Sequence, residues 1–88
     1  MIKEGFVLRK TAGVNMVTPT GLNIKEFNGF LVLNDTGAYI FSKLKNGETV
    51  LKIAQSLVQE YDVSLEKAEE DVIAVIASLR EAGIVCES

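Results

Sequence analysis

"NGFLVLND", Asn28 to Asp35, is the stretch on which the reading of this chain turns. Phe30, Leu31, Val32 and Leu33 form an apolar run opened by Asn-Gly and closed by Asn-Asp. A strand half-buried in a small sheet should alternate apolar and polar residues. This one is apolar on both faces. Either it lies inside a sheet covered on both sides, or one face serves a further partner. The residues that follow are different in kind: Asn34, Asp35 and Thr36 all carry side chains that accept hydrogen bonds from free N–H groups at a helix start. The chain therefore changes at this point from extended to helical.

Upstream, "GFVLRK" (Gly5 to Lys10) and "VNMVTP" (Val14 to Pro19) read as two short strands joined by "TAG", a glycine-containing hairpin loop. Pro19 cannot donate to a ladder and should end the second strand or lie on an edge. "TGLNIKEF" reads as a loop leading into the third strand, Phe30 to Leu33. Downstream, Ile40 and Leu44 share one face of a first helix, which "KNG" stops at Gly47. Thr49 can cap a second helix, in which Val50, Ile53, Ala54, Leu57 and Val58 recur at helical spacing up to Tyr61. Ser64 can cap a third, whose stripe is Leu65, Ala68, Val72, Val75, Ile76 and Leu79, with Gly83 as the residue after its end. The order is β-β-β-α-α-α, an α+β chain in which the last two helices form a helix-turn-helix-like pair. No internal repeat or low-complexity segment interrupts it.

Composition narrows the function. The 88 residues suit one domain, 1–88, with ordinary apolar and charged content. There is no histidine, and the single cysteine, Cys86, has no partner, so neither a cysteine metal site nor a disulfide framework is expected. With no signal peptide and no long apolar run, the expectation is a cytoplasmic chain without a membrane span. Glu69, Glu70 and Asp71 are consecutive, so a helix points them about 100° apart and they do not converge on a substrate. No nucleotide-binding glycine pattern is present. Nothing here reads as a catalytic constellation, and no cofactor is expected.

A helix-turn-helix with a sheet invites a DNA-binding reading, but residues 61–88 carry seven acidic side chains against two basic ones. Nonspecific DNA affinity comes from Lys and Arg contacts to phosphates, and an acidic recognition helix repels the duplex. On a helical wheel centred on Val72, Ile73 falls on a shoulder at about +100°, beside Glu69, Arg80 and Ala77. By itself it is an ordinary edge-of-core residue. Paired with the spare face of Phe30–Leu33, it suggests a groove for an added strand.

Three strings, in this order, are similar to the PqqD-like family: Leu33-Asn34-x-Thr36-Gly37-x-x-Ile40; "TVLKIAQSLVQEYDV", Thr49 to Val63; and "DVIAVIASLREAGI", Asp71 to Ile84. With the opening hairpin the resemblance spans nearly the whole chain. It implies a winged-helix-like fold without enzymatic activity. It also implies a peptide chaperone that binds the leader of a ribosomally made precursor peptide and presents it to a modifying enzyme, a radical S-adenosylmethionine protein in the namesake's case. By the same resemblance the leader adds to the third strand, and the site carries over to Phe30, Leu31, Val32, Leu33, Ile73, Ile76, Ala77 and Arg80. The pattern leaves open which of Phe30/Val32 and Leu31/Leu33 points outward. Such an interface buries less than about 1,200 Å², so a few anchors must supply the affinity. A monomer is expected, or a weak homodimer through the exposed strand edge. The competing readings are a protein-docking module of a larger enzyme system and a winged-helix regulator with a basic patch on its first strands.

Overall fold

Turn glycines and side-chain caps set the boundaries of the elements. The computed structural model describes residues 2–20 and 30–85. Strand β1 spans Phe6–Thr11, β2 Val14–Pro19 and β3 Leu31–Leu33; helix α1 spans Asp35–Lys45, α2 Val50–Tyr61 and α3 Leu65–Glu81. The fold is α+β, as the sequence pattern requires. The expected loop over residues 20–27 and the last three residues lie almost wholly outside the described residues.

The hairpin between β1 and β2 turns on Ala12 and Gly13, both at positive φ (52° and 80°), the twist that suits a two-residue connection. The ladder starts one residue later than expected, at Phe6, because Gly5 sits at φ 91°. The sheet is antiparallel in the order β1-β2-β3, with Val17 opposite Leu31, Met16 opposite Val32 and Asn15 opposite Leu33. Phe30, expected in the third strand, lies just outside it.

Each helix start is capped as its sequence suggests. Gly37 N donates to Asn34 Oδ1 (2.7 Å), Lys52 N to Thr49 Oγ1 (3.2 Å) and Lys67 N to Ser64 Oγ (3.2 Å). Of the three candidates for the first cap, Asn34 holds the position. Helix α3 ends in a Schellman arrangement: Gly83, at φ 79°, donates to Arg80 O, and Ile84 N donates to Leu79 O. The turn drives Ile84 into the core, where it is fully buried. Residues 2–3 close this end, with Ile2 bridged to Val85 and Lys3 N donating to Ile84 O at 2.7 Å.

The core lies between the inner face of the sheet and the three helices. Phe6 and Val17 meet Phe41, Ile40, Ile53, Leu57, Val72 and Leu79 there. The stripe of α3 narrows at its start: Leu65, expected inside, is 42 % exposed and borders a cleft lined by Gln55, Val58 and Gln59 of α2. One polar side chain, Asn15, is buried on the inner face, and its amide donates to Asp35 Oδ1 at 2.8 Å. That bond satisfies a group whose burial would otherwise be costly, and it ties the sheet to the first residue of α1.

Candidate peptide-binding groove

Strand β3 is the last strand in its sheet, and among the described residues no strand pairs with its outer edge. An unpaired edge presents free N–H and C=O groups, the template onto which another extended segment adds. The pleat divides "FLVL" cleanly. Leu33 is buried and Leu31 packs partly against the core, while Val32 is 55 % and Phe30 59 % exposed. The apolar run thus has two uses: Leu31 and Leu33 complete the core, and Phe30 and Val32 are left outside.

Beside this edge, β3 and α3 do not pack closely, and two adjoining cavities of about 210 Å³ each lie between them and the start of α1. Both are lined by Asn34, Gly37, Ala74 and Val75. Val32, Leu33 and Ser78 complete one, and Thr36 and Asp71 complete the other. Together they form a groove alongside the β3 edge, apolar at one end and polar at the other. Gly37 is on its floor for a steric reason. A Cβ there would sit 3.1 Å from Asn34 Oδ1 and 3.3 Å from Leu33 Cβ, so a side chain would require the capping Asn34 or Leu33 to give by a few tenths of an ångström. A larger cleft of about 380 Å³ between α2 and the start of α3 is lined by Gln55, Val58, Gln59 and Leu65 and borders no strand edge.

The residues singled out from sequence are distributed over three environments. Leu31, Val32 and Leu33 form β3, and Phe30 lies just before it. Ile76 is 7 % exposed and belongs to the core. Ile73, Ala77 and Arg80 are exposed, Ile73 at 59 %, and none of them lines either cavity. With Val72 at 0°, they fall at about +100°, +140° and +80°, whereas Asp71, Val75, Ser78 and Ala74 fall at about −100°, −60°, −120° and −160°. The groove is on the opposite shoulder of α3. Sequence gave prominence to the apolar Ile73. The groove side carries instead the small Ala74 and Ser78, whose size is a signal of close approach but reads equally well as plain surface.

Among the described residues, no cluster of His, Cys, Asp or Glu is placed to hold a metal ion. Among the described residues Asp71 is the one charged side chain lining the two cavities, and Lys67 Nζ lies 3.1 Å from its Oδ1, one helical turn away.

The model of the coenzyme PQQ synthesis protein D (PqqD) family matches residues 16–85, from the middle of β2 to the end of the described chain. The chain belongs to the PqqD family. No curated protein matches it significantly. Among solved structures it is similar to lasso peptide synthetase B1 complexed with the leader peptide, at 28 % identity and a TM-score of 0.80, covering 99 % of this chain and 96 % of the other. It also shares its fold with TbiB1 in complex with the TbiA(beta) leader peptide, at 18 % identity and a TM-score of 0.76, over 94 % and 91 % of the two chains. No helix among the described residues is long and apolar enough to cross a membrane.

Proposed function

We propose that this PqqD-family chain acts, over residues 1–88 as a single unit, as a non-catalytic recognition element for the leader segment of a ribosomally made precursor peptide. The observation that carries the reading is the edge of β3, unpaired among the described residues, running beside a groove, in a fold shared at 28 % identity with a protein whose structure was solved with the leader peptide. The leader adds as a fourth strand. Its main chain bonds to β3, and alternate side chains drop between Val32 on one side and Ala74, Val75 and Ser78 on the other. Leu31 and Leu33 hold the strand from beneath.

The chain then delivers the bound leader to a modifying enzyme. The family's namesake suggests a radical S-adenosylmethionine enzyme, and one structural relative is a lasso peptide synthetase. Copurification with enzymes encoded beside this chain distinguishes the two. The same open edge suits weak pairing of two copies, which a bound leader would displace.

An amide NMR titration with the leader of a short precursor encoded nearby tests the proposal. Shifts concentrated at residues 31–34 and at Asp71, Ala74 and Ser78 support strand addition in the groove. A saturable response confined to other faces sinks it and favours a protein-docking module.

A further inference from the structure

The groove is not chemically uniform, and its asymmetry bears on which leaders it accepts. Resting on the leader-binding proposal above, we infer that it selects an extended peptide with a basic side chain two residues from an apolar one, the basic group donating to the carboxylate of Asp71. Three observations support this. The cavity completed by Val32 and Ser78 is walled mainly by apolar and small groups, whereas the adjoining one contains Asp71, the single charge in the groove among the described residues. Among the described residues no cation lines either cavity, so a leader carboxylate at that depth would face the Asp71 carboxylate with no cavity-lining cation between them. The partner Asp71 already has, Lys67, lies outside both cavities with its side chain 60 % exposed, while that of Asp71 is 30 % exposed. An exposed pair one turn apart is weak and flexible, so Lys67 can swing into water when a leader cation arrives.

The spacing follows from the two periodicities. Asp71 lies about 4.5 Å along the helix axis from Ala74 and about 10.5 Å from Ser78. For a strand laid along α3, the midpoint of that stretch lies about 7.5 Å from Asp71, close to the rise of about 6.8 Å between residues i and i+2 of a strand. Those two residues also point to the same face of the added strand. One side chain fills the apolar end, and its second neighbour reaches the carboxylate.

Panning a displayed library of short random peptides on the full chain, alongside Asp71→Asn and Asp71→Lys, tests the inference. Wild-type binders should carry Lys or Arg two positions from Leu, Ile or Val and should shift the amides of residues 31–34. Asp71→Asn should weaken a basic binder by roughly three- to tenfold, the range for losing one partly exposed charge-assisted hydrogen bond. Asp71→Lys should turn the selected position acidic. Groove binders with no basic preference overturn the inference and leave leader binding standing, as does a basic preference that survives Asp71→Lys. If the selected peptides perturb neither β3 nor Ala74 and Ser78, leader binding itself falls and takes the inference with it.

Discussion

The two shoulders of α3 share one helix and one core stripe, yet they differ in what lies beside them. On one shoulder Asp71, Ala74, Val75 and Ser78 face the end of β3 across a groove. On the other, Ile73, Ala77 and Arg80 are exposed, and the most apolar of them, Ile73, lines neither cavity. Judged by hydrophobicity alone, the second shoulder is the better binding surface. Judged by position, it is the first, because there, among the described residues, a side-chain groove lies next to a strand edge that no other strand pairs with. The difference teaches that strand addition is located by the sheet edge, with side chains as secondary determinants.

The comparison can be broken most violently at the stripe between the shoulders. Leu79→Ala removes a fully buried side chain and should cost about 2–5 kcal/mol in urea unfolding, degrading both shoulders together. Ala74→Trp should fill the groove and weaken leader binding by at least about tenfold, or ~1.4 kcal/mol. Because Ala74 is exposed, stability should stay within about 0.5 kcal/mol. Ala77→Trp, on the other shoulder, should leave binding intact when both variants are titrated with the leader by calorimetry; an equal loss there would erase the distinction.

Asn34 sharpens the picture at the end of the groove, since it caps α1 through Gly37 and lines both cavities. Asn34→Ala should lose about 1 kcal/mol of stability by thermal or urea unfolding, and leader affinity with it. Smallest of all should be Ile73→Glu, under about 0.5 kcal/mol in stability and without effect on binding. If it abolishes binding while the fold stays intact, the site includes the Ile73 shoulder, as sequence reasoning first suggested.

Most of the architecture was legible because its signals are local. Thr49 and Ser64 cap where expected, Gly47 and Gly83 stop their helices at positive φ, and Ile53, Leu57, Val72 and Leu79 repeat at helical spacing and are buried. The strand half of the candidate site was legible for the same reason, since four apolar residues between turn signals announce a strand with a face to spare. Less legible was Leu65, whose spacing belongs to the stripe although its position in the first turn leaves it exposed.

By itself, then, the sequence determined the order of elements, their caps and stops, and the family to which they belong, all of which follow from spacings within about one or two turns of chain. Two matters were left to the tertiary structure. One is the phase of the pleat, which buries Leu31 and Leu33 and exposes Phe30 and Val32; four apolar residues in a row carry no phase until a partner strand supplies it through Val17 and Asn15. The other is the shoulder of α3 that faces β3. A helical wheel reports angles about one axis and holds nothing about which neighbour stands at each angle, so only the packed arrangement of β3, α1 and α3 could choose Ala74 and Ser78 over Ile73 and Ala77.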